Sequence, residues 1–411
     1  MLDIKYIQEN PEKVQTAAAD KGVAVDIGML LDTEREAREL STKIQSLRAE
    51  RNVAAKERDI ERGREIKGKL EELEPRFHEL ETKVQEIVWS IPNPARDDVK
   101  VGKDESENEI LKTVGDIPTF NHPIRDHIEI GSMLDIIDID RAAKVSGSRF
   151  YYLKNEGALL EMALTKYALD IIMNEGFKVV LPPVLIKREI MKRLGYMEHG
   201  ADEDVFAIPE DDLVLVGTAE HSIVAMHMDE TFTQKELPVR YVGFSSSFRR
   251  EAGSYGKDTR GILRVHQFDK VEMVSYVAQG ADDAEHEMML SIEEKLFSGL
   301  GIAYQVIKQC TGDLGFTAAR KYDIEAWIPS QEKYREVTST STIGEFQSRR
   351  LNIKYQDSAE KKYVTILNGT GIAMARGIIA VLENFQQEDG TVIIPEALRK
   401  YTGFDKISPK K

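Results

Sequence analysis

The chain has 411 residues, which is long enough for two domains and a sizeable core. Hydrophobic residues make up 41% and charged residues 31%, as is usual in globular proteins, and no window approaches the roughly 18 uninterrupted apolar residues of a membrane helix. The formal charge of −15 argues against a general electrostatic attraction to nucleic acid, although it leaves room for a local basic surface.

The N-terminal sequence has the pattern of neither a signal peptide nor a transit peptide. Cys310 is the single cysteine of the sequence, which excludes an intramolecular disulfide and a multi-cysteine zinc site. We therefore expect a cytoplasmic protein that contacts no membrane and needs no zinc.

Apolar residues recur every seven positions between residues 30 and 91, on either side of a charged break near residues 59–63. The four rows are Leu30, Ala37 and Ile44; Thr33, Leu40, Leu47 and Ala54; Ile66, Leu73, Leu80 and Ile87; Leu70, Phe77, Val84 and Ile91. Such repeats predict an antiparallel coiled-coil hairpin over residues 30–91, with arms of roughly 25 residues and ~38 Å. Pro75 is expected to interrupt the second helix.

The hairpin carries a local excess of positive charge toward its tip. Nine cations against five anions between Lys43 and Lys69 leave a net charge of +4. This excess favours a contact with nucleic acid, although the heptads alone leave a dimerisation rod or a spacer open. The candidate RNA-binding residues are Lys43, Arg48, Arg51, Lys56, Arg58 and Arg62.

A proline-containing and acidic stretch over residues 92–110 predicts a domain boundary, which divides the chain into residues 1–100 and 101–411. A helix is expected from about Ala158 to Asn174, followed by a strand that ends at Pro182. His199 has no second metal ligand at a useful spacing, so residues 191–206 are interpreted as a surface loop. Farther along, the apolar strand 213–216 leads into Thr218, Ala219 and Glu220 at the start of a helix, where Glu220 could simply be a favourable acid in a first turn.

Residues 248–272 are the most informative stretch, because they predict a strand, a glycine-containing loop and a second strand. Alternation places the following charged and aromatic residues on a shared face if the strands pair: Arg249 and Glu251, with Arg264, His266, Phe268, Lys270 and Glu272. The loop adds Gly253, Gly256, Lys257, Asp258, Arg260 and Gly261. Guanidinium groups and an aromatic ring suit the phosphates and base of a nucleotide, whereas the simpler interpretation is an exposed hairpin with ordinary salt bridges.

Two further segments carry polar residues in apolar surroundings. Glu336 and Ser339 would lie on opposite faces of a regular strand, so the strand must end or bulge between them if they act together. Arg376 stands on a strongly apolar helix and therefore needs an anionic partner, which a structural acid or a bound phosphate could supply.

These residues resemble the signature motifs of the class II aminoacyl-tRNA synthetases, and specifically of the seryl-tRNA synthetase family. The likeness extends over nearly the whole chain, with motif 1 at about 158–183, motif 2 at about 240–272 and motif 3 at about 363–388. The run Ala-Ala-Lys-Val-Ser-Gly-Ser-Arg-Phe at 142–150 is the part of the motif 1 region most specific to this family. The resemblance implies an α+β fold: an antiparallel β-sheet catalytic domain flanked by helices and preceded by an N-terminal antiparallel α-helical coiled-coil arm.

The resemblance also implies roles for individual residues. Catalytic roles fall to Arg249 on the α-phosphate, Glu251 toward the nucleotide and Arg376 on the γ-phosphate. Serine-binding residues would be Thr218, Ala219, Glu220, Arg249, Glu272, Asn368 and Thr370. ATP-binding residues would be Arg249, Arg250, Glu251, Val265, His266, Phe268, Glu336, Val337, Thr338, Ser339 and Arg376. Glu336 and Ser339 would hold Mg²⁺.

The family activates serine with ATP and transfers it to tRNA(Ser), and to tRNA(Sec) where an organism has it; its members are homodimers whose arm binds the tRNA. The chain departs from the family pattern in residues 191–206, at Thr340 and Thr342, at Thr370, where serine is frequent, and at Ala375, where glycine is frequent. Two rivals therefore stay open: an amino acid:carrier-protein ligase on the same fold, and a non-catalytic RNA-binding paralogue.

Overall fold

The computed structural model describes residues 1–252, 260–358 and 360–410. These residues form two compact units, Met1–Pro94 and Ala95–Lys411. The loop residues Gly253, Gly256, Lys257 and Asp258 lie outside the described residues. No helix in the described ranges is long and apolar enough to cross a membrane.

The first unit is helical, and its long hairpin confirms the predicted antiparallel arm. Its helices are α1 (Ile4–Glu9), α2 (Pro11–Asp20), α3 (Ile27–Glu57) and α4 (Ile60–Ser90). The heptad rows face one another: Ile44, Leu47 and Ala54 of α3 are buried in one cluster with Ile66 and Leu70 of α4. A second cluster at the base of the hairpin joins the two short helices to the ends of α3 and α4. At 31 residues each, α3 and α4 are longer than predicted and extend over about 46 Å.

The turn of the hairpin and the course of α4 both differ from the sequence-based expectation. The connection consists of Arg58, in the left-handed conformation, and Asp59, whose carboxylate accepts a hydrogen bond from the backbone of Arg62. This N-cap allows α4 to begin at Ile60, inside the predicted break. Helix α4 also continues through Pro75. A proline removes one helical hydrogen bond, and the buried Leu70 and Leu80 on either side hold the helix in place.

The second unit is built on a large sheet with helices packed against it. Its helices are α5 (His127–Met133), α6 (Ile139–Ser146), α7 (Asn155–Asn174), α8 (Arg188–Leu194), α9 (Ala219–Ala225), α10 (Asp282–Leu300), α11 (Phe346–Leu351), α12 (Met374–Asn384) and α13 (Glu396–Thr402). Its strands are β1 (Glu109–Val114), β2 (Ile137–Asp138), β3 (Tyr152–Leu153), β4 (Lys178–Val180), β5 (Leu185–Lys187), β6 (Ala207–Ile208), β7 (Leu213–Leu215), β8 (Thr231–Thr233), β9 (Val239–Phe248), β10 (Gln267–Val277), β11 (Tyr304–Lys308), β12 (Arg320–Ile328), β13 (Lys333–Gly344), β14 (Lys354–Asp357), β15 (Glu360–Tyr363), β16 (Thr365–Ala373), β17 (Val392–Ile393) and β18 (Lys406–Ile407).

In the described part of the chain the large sheet has eight strands in the order β1-β11-β12-β13-β16-β10-β9-β4. All neighbours are antiparallel except β4 and β9, so the predicted antiparallel α+β fold is confirmed. Strand β16 lies between β13 and β10, and helices α7, α10 and α12 pack against the sheet to form the main apolar core. This order brings the ends of β9, β10, β13 and β16 together, although they are far apart in sequence.

Candidate active site

The end of β9 and the beginning of α12 meet at a cavity of about 150 Å³. Arg249 and Arg376, which lie 127 positions apart in the sequence, both line it. The other predicted nucleotide-binding residues on its wall are Glu251, Val265, Phe268, Glu336, Val337, Thr338 and Ser339. Lys270 and Lys321 add positive charge to the same wall. With Arg264 also on the wall, the cavity combines five cations, two carboxylates and an aromatic ring, which is a composition suited to a polyphosphate nucleotide with a metal ion.

Arg376 has the anionic partner that its apolar helix requires. Its Nη1 atom lies 3.1 Å from the Glu336 Oε2 atom and donates to the Glu336 backbone carbonyl at 2.9 Å. Burial opposes ionisation of Glu336, but the charges of Arg376 and Lys321 outweigh it and hold the pKa of Glu336 at about 2. Both side chains stay partly exposed, so the pair forms one charged wall of the cavity.

Glu336 and Ser339 share this cavity because β13 contains a bulge. Along the pairing with β12, Thr338 lies opposite Ile324 and Glu336 lies opposite Glu325, which leaves Val337 as an extra residue. The extra residue shifts the alternation, and both oxygen-bearing side chains reach one cavity. Of the two alternatives left by the sequence, a strand end or a bulge, the structure has the bulge.

The paired strands β9 and β10 are shorter than the sequence suggested. Phe248 pairs with Gln267, so Arg249 and Glu251 follow β9, and Arg264 and His266 precede β10, instead of lying within the strands. Glu251 takes a positive φ of 54°, which is uncommon for a residue other than glycine, and this turn ends the alternation.

The charged side chains of this segment are fixed by specific contacts. The Nη1 atom of Arg264 lies 2.6 Å from the Oε2 atom of Glu251. Arg249 donates from Nε to the carbonyl of Gly217, and its guanidinium lies 5.5 Å from the centre of the Phe268 ring. The guanidinium therefore lies over one face of the Phe268 ring, and both side chains line the cavity.

Two predicted nucleotide-binding residues lie elsewhere in the described part of the protein. Arg250 stacks on the ring of Phe206 and donates to the carbonyl of Val205, and it is absent from the cavity wall. His266 is absent from the wall as well; its Nδ1 atom lies 2.9 Å from the carbonyl of Arg249, so it supports the backbone that carries that arginine. Direct ATP contacts by these two residues stay a prediction.

A second cavity of about 500 Å³ contains most of the predicted serine-binding residues. Its wall includes Thr218, Glu220, Glu272, Asn368 and Thr370. Ala219 is fully buried behind this wall. The two cavities share Arg249, Lys270, Lys321, Ser339 and Thr370, so they adjoin.

Glu220 lies in the second cavity with one carboxylate oxygen already occupied. Its Oε1 atom accepts a hydrogen bond from the hydroxyl of Tyr196 at 2.8 Å and another from the amide of Gln347 at 3.0 Å. No hydrogen bond from a described residue reaches Oε2 of Glu220. Burial and the nearby charge of Glu272 raise the pKa of Glu220, and the two donors oppose this rise. The carboxylate therefore presents one oriented, open oxygen.

Tyr196 and Gln347 are residues that the sequence analysis missed. Tyr196 belongs to the segment 191–206, and Gln347 belongs to the short helix α11. The side-chain amide of Gln347 also donates a hydrogen bond to the carbonyl of Leu194. Arg350, one turn later on α11, fixes the same segment by an ion pair of 2.8 Å with Glu198. Tyr196 and Gln347 are 24 and 127 positions from Glu220, and no local pattern in the sequence signals either contact.

Glu272 is paired with the lysine that precedes it on the same face of β10. The Nζ atom of Lys270 lies 2.5 Å from the Oε2 atom of Glu272, and both side chains are buried. Thr370 on β16 donates to the same oxygen at 3.1 Å, and Lys270 donates to the Thr370 hydroxyl at 3.3 Å. Burial lowers the pKa of Lys270, and Glu272 opposes that effect.

In the first unit, all six predicted RNA-binding residues are exposed: Lys43, Arg48, Arg51, Lys56, Arg58 and Arg62. Arg48 pairs with Glu74 across the hairpin at 2.8 Å, and Arg62 lies 3.7 Å from Glu57. In neither unit do three or more His, Cys, Asp or Glu side chains of the described ranges form a group that could hold a metal ion.

Comparison with known proteins identifies both units. Residues 1–95 match the seryl-tRNA synthetase N-terminal domain, and residues 205–385 match the class II tRNA synthetase core domain (G, H, P, S and T). The serine–tRNA ligase of Acidothermus cellulolyticus is 44% identical, with all of both chains covered. That of Treponema denticola is 42% identical over 99% of this chain and all of its own.

Solved structures show the same relationship in three dimensions. The crystal structure of seryl-tRNA synthetase from Pyrococcus horikoshii complexed with ATP has a TM-score of 0.93 and 40% identity, with full coverage of both chains. The cytoplasmic serine–tRNA ligase from Naegleria fowleri in complex with AMP has a TM-score of 0.89 and 28% identity, over all of this chain and 99% of its own. The chain therefore belongs to the seryl-tRNA synthetase family.

Proposed function

We propose that this protein is a serine–tRNA ligase, which activates L-serine with ATP and transfers it to the 3′ end of tRNA(Ser), and to tRNA(Sec) where the organism has it. The observation that carries the proposal is the pair of adjoining cavities. The first presents Arg249 and Arg376 for a triphosphate, and the second presents Glu220 and Glu272 for an ammonium group. Their shared wall is where a carboxylate and an α-phosphate would meet.

Adenylate formation requires the carboxylate of serine to attack the α-phosphorus while the bond to pyrophosphate breaks. We assign the α-phosphate to Arg249 and the γ-phosphate to Arg376, whose fixed charges stabilise the negative charge that develops on the phosphate oxygens. Phe268, which lines the first cavity, would stack on adenine. Binding of serine and ATP in adjoining cavities holds the two reactants next to each other, so that the reaction no longer depends on a bimolecular encounter.

The proposal includes Mg²⁺ held by Glu336 and Ser339. Glu336 fits this role because its carboxylate is ionised, with a pKa of about 2, and because the bulge at Val337 brings the hydroxyl of Ser339 to the same cavity. Oxygen ligands completed by substrate phosphates and water are what Mg²⁺ prefers. The ion would neutralise charge on the departing pyrophosphate.

The proposal assigns tRNA binding to the exposed cations of α3 and α4, and it includes a homodimer that works in the cytoplasm. The six candidate cations are exposed on a hairpin whose two clusters of buried apolar residues hold it together. Such an arm does not support the alternative of a carrier-protein ligase. The match of residues 1–95 to the family's N-terminal domain supports tRNA(Ser) as the partner.

Serine-dependent exchange between ATP and pyrophosphate, followed by charging of tRNA(Ser), tests this function. We expect exchange with serine and charging with tRNA(Ser). Absence of exchange with every amino acid would identify a non-catalytic paralogue. Exchange without charging of tRNA(Ser) would instead favour the carrier ligase.

A further inference from the structure

The two cavities hold charged side chains whose arrangement is complementary to a free α-amino acid. Glu220 and Glu272 line the second cavity, whereas Lys270 and Arg249 lie on the wall that both cavities share. A zwitterion placed along this line would have its ammonium group at the two carboxylates and its own carboxylate at the two cations. The exposed fractions of the side chains of Lys270 and Glu272 are only 7% and 3%, so each charge acts in surroundings that screen it weakly.

Lys270 places an ammonium group against Glu272, the carboxylate that we assign to the ammonium group of serine. Its Nζ atom lies 2.5 Å from Glu272 Oε2 and donates a hydrogen bond to the Thr370 hydroxyl. That hydroxyl donates in turn to the same oxygen of Glu272. Glu220 lies close enough for the charges of Glu272 and Lys270 to affect its ionisation. The Glu220 carboxylate, by contrast, accepts hydrogen bonds from the neutral side chains of Tyr196 and Gln347.

The same lysine also lies near a second cation. It is buried, and Arg249 is near enough to repel it across the shared wall. An anion placed between Arg249 and Lys270 would be attracted by both cations and would relieve their repulsion. The carboxylate of an amino acid is such an anion, and burying it without a cation would be costly.

We propose that Lys270 is a substrate-binding residue that exchanges partners: its ammonium group, which pairs with Glu272, yields that carboxylate to the substrate's ammonium group and then binds the substrate's carboxylate beside Arg249. The inference rests on the proposed function and adds the group that receives the second charge of the amino acid. The flexible four-carbon stem of lysine permits the short movement from Glu272 to the shared wall. The exchange conserves charge, because the site gains one ammonium and one carboxylate together.

Comparison of L-serine with ethanolamine, which is serine without its carboxylate, separates the two halves of the exchange. Dissociation constants of both ligands are measured with the full chain in the absence of ATP. In Lys270→Met, ethanolamine should bind more tightly than to the wild type, because no internal cation competes for Glu272. The preference for serine over ethanolamine should fall roughly tenfold or more, the effect of losing a hydrogen bond between charged groups.

Lys112→Met is the matched control, since Lys112 lies half-exposed on β1, pairs with Glu294 and lines neither cavity. Both constants should stay at their wild-type values in that variant. If Lys270→Met does not fold, Lys270→Gln serves in its place, because its amide can donate a hydrogen bond to Glu272. An unchanged preference for serine, or a variant that binds ethanolamine no better than wild type, overturns the exchange.

The wild-type chain keeps the two proposals distinguishable. Wild-type exchange of ATP and pyrophosphate with serine, together with an unchanged ligand preference in the variant, would refute the role of Lys270 alone. Wild-type protein that neither binds serine nor supports exchange would refute the proposed function, and the role of Lys270 with it.

Discussion

Replacing Tyr196 by phenylalanine removes one hydroxyl group and leaves the ring of the side chain unchanged. That hydroxyl donates to Glu220 Oε1 at 2.8 Å, and Gln347 donates to the same atom at 3.0 Å. A hydrogen bond to a charged group contributes about 1.5–3 kcal/mol. Because Gln347 remains, we take the lower end, about 1.5 kcal/mol, which corresponds to a roughly tenfold weaker binding of serine.

The assay is serine-dependent exchange of ATP and pyrophosphate over a range of serine and ATP concentrations. We expect KM for serine to rise about tenfold, while KM for ATP and the melting temperature stay close to wild type. Tyr363→Phe is the matched control, because this half-buried tyrosine packs against Arg349 away from both cavities. An equal loss for serine and ATP would show that the hydroxyl supports the fold generally, and the assignment would be wrong.

The pH dependence gives a second test of the same contact. Burial and the charge of Glu272 raise the pKa of Glu220, and the hydrogen bonds from Gln347 and Tyr196 oppose that rise. Serine binding needs the ionised carboxylate, so it is present above this pKa and is lost as the pH falls through it. Removal of the Tyr196 hydroxyl raises the pKa of Glu220 further. The variant should therefore lose serine affinity at a higher pH than the wild type does.

Three other predictions concern the triphosphate, the arm and the stability of the hairpin. Arg376→Met should lower the rate of exchange roughly 100-fold or more, because it removes one preorganised charge. The control variant Arg35→Met, at an exposed arginine, should exchange at the wild-type rate, and equal rates in both variants would contradict the γ-phosphate role. Deletion of residues 40–77, joined by a short glycine linker, keeps the apolar cluster at the base of the hairpin and should preserve exchange while it abolishes tRNA charging. Parallel loss of both activities would refute the arm's role. Pro75→Ala restores a helical hydrogen bond and should raise the free energy of unfolding of the first unit by about 1–3 kcal/mol, as measured by urea unfolding. An unchanged or lower urea midpoint would show that the helix is adapted to the proline.

The hairpin and the chemical types of the site residues could be predicted from the sequence because both signals are local. The seven-residue repeats indicate which faces of α3 and α4 pack together, and Ile44, Leu47, Ile66 and Leu70 are buried between them in the structure. The predicted α+β fold with an antiparallel sheet followed from the resemblance of the motifs. The ends of the helices and strands were less predictable. The N-cap at Asp59 lets α4 begin at Ile60, earlier than the sequence suggested, and the positive φ of Glu251 ends the alternation of side chains after β9.

The partners of the charged side chains were decided only by the tertiary structure. The bulge at Val337 depends on the pairing of β13 with β12, and it alone places Glu336 and Ser339 in one cavity. Contacts such as that between Thr370 and Glu272 join strands that lie 98 positions apart, and a sequence pattern carries no information on such distances. The sequence by itself determined which elements form and which charges they carry. The order of the strands decided which of those charges meet, because buried charges must find partners wherever the packed sheet brings them together.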